Sequence, residues 1–85
     1  MSETMKLQVL FFSVLCPLVG GDCVEVELVE GATVGDLLDV LYDRFPGLRP
    51  WDGRVRVAAN LDYVDRDHVL SADEEVAVMP PVQGG

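Results

Sequence analysis

Positive charge is scarce in this 85-residue sequence. Six lysines and arginines stand against fifteen aspartates and glutamates, which gives a formal net charge of −9. Proteins that bind nucleic acid need cations to displace the counterions of the phosphate backbone, so nucleic acid is not an expected partner. Because 49% of the residues are hydrophobic, the chain can still fold, and its negative charge favours encounters with basic partners.

Residues that bind metals or act as nucleophiles are also few. The two cysteines, Cys16 and Cys23, are seven positions apart, which matches neither a zinc site nor a CxxC redox motif. We expect reduced thiols, one buried and one half exposed, with a structural disulfide as the alternative. The single histidine, His68, is expected at a solvated loop position. The acidic runs 62–67 and 73–75 lack the spacing of an EF-hand loop, so no metal site is predicted.

The sequence has no apolar run of about 18 residues that could span a bilayer. The segment 7–19 is largely apolar, but Glu3, Gln8 and Pro17 disagree with a signal peptide. We therefore expect a cytoplasmic protein without a membrane partner. One small domain of this length leaves little room for an internal catalytic cavity, so chemistry is expected at the surface, at a terminus or in a partner's pocket.

Hydrophobic periodicity predicts five strands, at 6–12, 24–28, 55–59, 63–64 and 75–79. Thr33 with Asp36 three residues later resembles a capping box that begins a helix. The apolar stripe of this helix consists of Val34, Leu37, Leu38, Leu41 and Phe45. The order β-β-α-β-β-β predicts an α+β protein of the β-grasp type, a mixed sheet with one main helix on one face.

The predicted domain has short extensions at both ends. Residues 1–5 are expected to be disordered, 6–79 to form the domain and 80–85 to form an extended tail. Tandem prolines keep a chain extended, and glycines lack the Cβ that would prevent passage through a narrow tunnel. A terminal Gly-Gly would occur by composition in about one chain in two hundred. The tail thus predicts delivery of the Gly85 carboxylate into another protein's active site, with a frayed end as the alternative.

The uncovered face of the sheet is the predicted partner interface. Phe12 and Met79 would be neighbours there, because the first and last strands are expected to lie parallel at the sheet centre. With Tyr63 they would form an exposed apolar patch of the kind that marks an interface. The alternative is ordinary packing of strand residues, or a small secondary core under the loop around Leu61. Arg54 and Arg56 at the edge of this face are candidates for steering an acidic partner.

Five segments resemble the small subunit of molybdopterin synthase, a ubiquitin-like sulfur carrier. They are Leu10-Phe11-Phe12, Ala59-Asn60, Leu70, Glu75-Val76-Ala77 and the tail Pro80-Pro81-Val82-Gln83-Gly84-Gly85. The tail is the most specific of them. The sequence departs from the family at Cys16-Pro17 and at Asp73-Glu74-Glu75, both outside the tail.

The resemblance implies a sulfur carrier that is not an enzyme on its own. An enzyme similar to ubiquitin E1 would use ATP to adenylate Gly85, and a persulfide sulfurtransferase would supply sulfur for a thiocarboxylate. Pro80, Pro81, Val82, Gln83 and Gly84 would enter the large subunit of a heterotetramer. There the sulfur would pass to cyclic pyranopterin monophosphate and form the dithiolene of the molybdenum cofactor. No cofactor is expected on this chain.

Other functions share the same features. A sulfur carrier for thiamine thiazole synthesis also ends in Gly-Gly, although it usually lacks the Pro-Pro stem. A ubiquitin-like modifier would use Gly85 to form an isopeptide bond with a target lysine. A plain protein-binding module would keep its function after removal of Gly84 and Gly85.

Overall fold

A computed structural model describes residues 3–72 and 74–80. Five strands form one mixed sheet in the order β2-β1-β5-β3-β4. The strands are β1 (Thr4–Phe11), β2 (Cys23–Val29), β3 (Arg56–Ala59), β4 (Asp62–Val64) and β5 (Val76–Met79). β5 is parallel to β1 and antiparallel to β3, so the chain's last strand lies in the middle of the sheet. The predicted β-grasp arrangement is confirmed.

Alternating burial explains the first two strands. Every second residue of β1 and β2 is buried on the same face, and the residues between them are largely exposed. β1 begins at Thr4, two residues before the domain boundary expected at residue 6. The physical reason is Met5, which pairs with Leu28 on β2 and is only 7% exposed. Burial of this side chain extends the strand beyond the clearly alternating segment.

The main helix, α2 (Val34–Arg44), has its N-terminal donors satisfied by the cap and by a loop. Thr33 and Asp36 form the predicted capping box. The backbone N–H groups of Val34 and Gly35 donate to carbonyls in the connection between β4 and β5. These bonds fix that connection against the helix, because a helix N-terminus otherwise leaves such donors unpaired.

One face of α2 packs on the sheet. The buried helix residues are Val34, Leu37, Leu38, Leu41 and Tyr42. Tyr42 was not part of the predicted stripe, and Phe45 lies at the C-cap, where it packs partly buried against the core. The other side of the sheet has no helix on it among the described residues, so its side chains remain available to a partner.

Short helical segments make the remaining connections. Residues Ser13–Leu15 form a 3-10 turn that leads into α1 (Cys16–Val19), and Pro46–Trp51 form a 3-10 helix after α2. α1 ends at Gly20, whose φ of 80° is suited to glycine. No helix in the described part of the chain is long and apolar enough to cross a membrane.

Candidate functional site

The tail leaves the sheet at its centre. β5 is hydrogen-bonded on both sides, and its inward residues Val76 and Val78 are 0% and 2% exposed. Pro80 follows directly and is half-buried. The remaining predicted site residues, Pro81, Val82, Gln83, Gly84 and Gly85, lie outside the described residues, so their role stays a prediction. Pro80 therefore follows a strand that is hydrogen-bonded to neighbours on both sides.

The structure brings the three predicted interface residues together on the uncovered face. Phe12, Tyr63 and Met79 line one shallow depression of about 260 Å³. Phe12 is 44% exposed and Tyr63 is 62% exposed. We call its apolar surface the apolar half of the face; it comprises Leu10, Phe12, Ala58, Leu61, Tyr63, Ala77 and Met79. The apolar half includes Met79, the last residue before the tail.

Leu61 is a member of the apolar half that the sequence analysis named only in the alternative of a small secondary core and did not predict as an interface residue. It is 90% exposed and has a φ of +73°, next to Asn60 with a φ of +52°. Two such residues between antiparallel strands are typical of a hairpin turn that favours Asn-Gly. The sequence did contain a signal for this residue, because it has a bulky apolar side chain at a turn position where glycine is preferred. A positive φ is strained for leucine, so we expect the exposed Leu61 side chain to contribute to binding at this surface.

The β1-β2 end of the same face has a different character. We call it the polar half; it comprises Thr4, Lys6, Gln8, Glu25 and Glu27. Lys6 pairs in register with Glu27, and the Thr4 hydroxyl donates to the Glu27 carboxylate at 3.1 Å. Val29 at its far end is the one large hydrophobic residue of β2 that is exposed. This half is solvated and internally hydrogen-bonded.

Arg56 borders the apolar half beside Met79, and Arg54 precedes it in the same segment of the chain. Arg56 pairs in register with Met79, and its guanidinium carbon lies 5.8 Å from the centroid of the Tyr63 ring. Arg54 lies two residues earlier, 5.0 Å from the centroid of the Trp51 ring. Both arginines are exposed. The positions agree with the expected edge location.

A hydrogen-bonded cluster lies beside α2, away from the tail. The Tyr42 hydroxyl donates to Asp52 at 2.9 Å, and Arg66 forms a salt bridge with the same carboxylate. Burial and the bond to Asp52 raise the pKa of Tyr42 to about 12. Hydrogen bonds from Arg66 and Tyr42 lower the pKa of Asp52. This cluster connects α2, the loop after the 3-10 helix and the β4-β5 connection, so its role is structural.

His68 differs from its predicted solvated position. Its side chain is 33% exposed, and Nε2 lies 2.8 Å from an oxygen of Glu74, whose side chain is 12% exposed. The other Glu74 oxygen accepts from the Ser71 backbone N–H at 2.7 Å. Burial acts to raise the pKa of Glu74, but hydrogen bonds from His68 and Ser71 outweigh it and lower that pKa. The pair ties the end of the β4-β5 connection to its middle.

A groove of about 640 Å³ separates α2 from β3 and β4. Arg66 and His68 line it together with Asp65 and Asp67. Arg56 also lines the groove, while Arg66 and His68 pair with the acidic side chains of Asp52 and Glu74.

Both thiols are free, as the sequence predicted, and the alternative disulfide is not formed. Cys16 is partly buried, with its sulfur 3.2 Å from the Phe11 carbonyl oxygen, and Cys23 is exposed. Within residues 3–72 and 74–80, no group of three or more His, Cys, Asp or Glu side chains could hold a metal ion.

Comparison with known proteins gives one family match. The model of the ThiS family matches residues 9–85. The molybdopterin synthase sulfur carrier subunit of Escherichia coli (strain K12) is 39% identical over 82 residues, which cover 93% of this chain and 99% of that protein.

Two further similarities come from archaeal proteins. The solved structure of a putative molybdopterin converting factor, subunit 1, from Pyrococcus furiosus has a TM-score of 0.83 and 34% identity, and covers 92% of this chain and 99% of that one. Small archaeal modifier protein 1 of Haloferax volcanii is 33% identical over 82 residues, covering 87% of this chain and 94% of that protein.

Proposed function

Because this chain belongs to the ThiS family, we propose that it carries sulfur on its C-terminal carboxylate as the small subunit of a molybdopterin synthase. The resemblance to molybdopterin synthase small subunits in the sequence is confirmed by the full-length similarity to the Escherichia coli protein. The observation that carries the proposal is the extent of the family match. It runs through Gly85 and so includes the Gly-Gly end.

The reactions take place at the Gly85 carboxylate, and the folded domain binds the enzymes that act on it. Gly85 attacks ATP in an activating enzyme, forming an acyl adenylate and releasing pyrophosphate. The terminal sulfur of an enzyme persulfide displaces AMP, and a thiol then cleaves the resulting acyl disulfide to leave a thiocarboxylate. In the large subunit, the thiocarboxylate sulfur attacks a side-chain carbon of the pterin precursor, and the bond from that carbon to an oxygen substituent breaks. Hydrolysis releases the carrier with its carboxylate restored, and two such transfers supply the two dithiolene sulfurs.

The contribution of the fold is to separate docking from reaction. The six residues 80–85 span at most about 20 Å when fully extended. The apolar half, which includes Met79, is the surface we assign to the large subunit. Docking there holds the start of the tail at the mouth of the partner's pocket. An intermolecular reaction is thereby made effectively intramolecular.

Reconstitution tests this function. The large subunit and the activating enzyme from the same host are combined with ATP, a persulfide donor, a thiol and the pterin precursor, and dithiolene product is quantified. We expect product with the full chain and none with a chain lacking Gly85. Product from the truncated chain, or no product from the full one, would contradict the proposal.

A second candidate is a protein modifier, which the similarity to the Haloferax volcanii protein favours. In that case a lysine amine attacks the activated Gly85 carbonyl. Since Arg66 is the last lysine or arginine, trypsin would leave residues 67–85 attached to the target lysine. A search of host peptides for this branched remnant distinguishes the two functions.

A further inference from the structure

Within the part of the chain that the structure describes, Arg54 and Arg56 have no carboxylate partner, unlike Arg49, which pairs with Asp43 at 3.2 Å, and Arg66, which pairs with Asp52. Arg44 also lacks one, but it lies on the other side of the sheet, where it donates to the Glu25 carbonyl of the edge strand β2 at 2.9 Å and lies over the Phe45 ring. Among the described residues, no carboxylate oxygen lies within 4.0 Å of a guanidinium nitrogen of Arg54 or Arg56. In a chain with fifteen acidic residues, this requires an explanation.

Aromatic rings support both side chains instead. Arg54 lies over Trp51 and donates to the Pro50 carbonyl at 2.9 Å. Arg56 lies over Tyr63. A guanidinium has five N–H donors in a fixed planar fork that suits a carboxylate. Stacking on a ring restrains the plane of the fork and leaves donors free, so less side-chain entropy is lost when a carboxylate binds.

Their position associates these cations with docking. Arg56 pairs in register with Met79, and Tyr63 beneath it is part of the apolar depression. A partner that fills the depression would therefore meet the Arg56 guanidinium beside Met79, while Glu75, which lines the depression at the other end of β5, would keep acidic groups on the Arg56 side. The polar half of the same face carries Glu25 and Glu27, which would repel an acidic group placed there.

We propose that Arg54 and Arg56 bind carboxylates of an acidic segment of the molybdopterin synthase large subunit, whose neighbouring apolar side chains fill the depression. This rests on the proposed function and adds a chemical identity for the docking partner. The proposal runs against the net charge of −9, which by itself favours basic surfaces. The two arginines thus select an orientation in addition to contributing affinity, since the opposite orientation would place acidic groups against Glu25 and Glu27.

Affinity and its salt dependence give the first test. Binding of the full chain to the large subunit is measured by calorimetry at low and high salt for the wild type, for Arg54→Gln/Arg56→Gln, and for Arg49→Gln as the matched control. We expect the double variant to bind about tenfold more weakly at low salt and to approach wild type at high salt. The control should match wild type. Equal affinity of all three at both salt concentrations would overturn the proposal.

Zero-length crosslinking identifies the acidic groups directly. A carbodiimide joins an amine to a carboxylate in contact, so Arg56→Lys introduces a crosslinkable amine at the rim, and Arg49→Lys provides the control. We expect peptides that join position 56 to aspartate or glutamate of the large subunit, and none from position 49. Absence of crosslinks at 56, with wild-type affinity intact, would refute the carboxylate contact and leave the proposed function standing. Failure of the wild type to bind the large subunit would defeat both.

Discussion

The two halves of the uncovered sheet face belong to one continuous sheet and yet present opposite chemistry. The polar half has Glu25 and Glu27 solvated beside Lys6. The apolar half exposes Phe12 and Tyr63. On the opposite, buried face of the sheet, both halves pack against α2 or the connections that flank it. Packing of the core therefore does not require the two halves to differ in polarity. Apolar side chains are concentrated beside the strand from which the tail emerges, which is where a docking partner is needed.

This difference separates two kinds of exposed residue. Single hydrophobic residues on a protein surface are common and carry little information. A group of them around a depression, with cations at its rim, is typical of a binding surface. The polar half shows that the same sheet can satisfy its outer face with charged and hydroxyl side chains. The composition of the apolar half therefore supports the proposal that it is a docking surface.

The largest effect is expected from a change that leaves both halves intact. Removal of Gly84 and Gly85 should abolish sulfur transfer, because the reacting carboxylate no longer reaches the partner's active site. The free energy of unfolding should stay within about 0.5 kcal/mol of wild type, as for other surface changes. Product formation and urea unfolding are the measurements. Full activity of the truncated chain would instead favour a plain binding module.

The next largest effect is expected when one residue of the apolar half and one of the polar half are substituted and their effects on binding are compared. Phe12→Ala should weaken binding to the large subunit by about 10- to 100-fold, since aromatic residues at the centre of an interface contribute most. Glu25→Ala on the polar half should leave the dissociation constant unchanged. Both variants should unfold within about 1 kcal/mol of wild type. Equal losses of affinity for the two variants would remove the distinction between the halves.

A smaller effect is expected at the hairpin. Leu61→Gly should raise the free energy of unfolding by about 0.5 to 1 kcal/mol, because glycine relieves the positive φ at little steric cost. The same variant should bind the large subunit several-fold more weakly. Thermal unfolding and calorimetry test the two parts. A variant that is both less stable and fully competent in binding would contradict the role given to Leu61.

The smallest effect concerns Glu74, at the border of the polar half. Its folded-state pKa is lowered below the ordinary value of 4.5. Its contribution to stability is therefore complete above pH 4.5 and is lost as the pH falls through the lowered folded-state pKa. For a hydrogen-bonded carboxylate near the surface, this contribution is about 1 kcal/mol or less.

Urea unfolding between pH 6 and pH 3 measures this contribution. Glu74→Gln should lower stability at pH 6 and flatten the loss toward pH 3, while Glu30→Gln, an exposed acidic residue after β2, serves as control. Docking at pH 7 should be unaffected by either change. A steeper acid loss in Glu74→Gln than in wild type would show that the sign is wrong.

Most of the fold was predictable from the sequence because the strands are short and regularly alternating. The Thr33 and Asp36 capping box placed the start of α2 correctly, and clean alternation located β2 within one residue at each end. The grouping of Phe12, Tyr63 and Met79 on one face followed from strand order, because the β-grasp places the first and last strands side by side.

Contacts between irregular segments were not predictable. Tyr42, Asp52 and Arg66 come from a helix and two loops, and no periodic pattern relates them. His68 was expected in solvent for the same reason, since its partner Glu74 lies in the same connection at no characteristic spacing. Leu61 was not predicted as an interface residue because its importance comes from backbone conformation. Such contacts depend on how loops dock, which periodicity does not encode.

The intact mass of the protein purified from its own host tests the central claim most directly. The account predicts a fraction whose C-terminal peptide is heavier by about 16 mass units at Gly85, the difference between sulfur and oxygen. This increment should disappear when large subunit and pterin precursor are added. A protein found only with a free carboxylate and as lysine-linked conjugates would contradict the account and establish the modifier in its place.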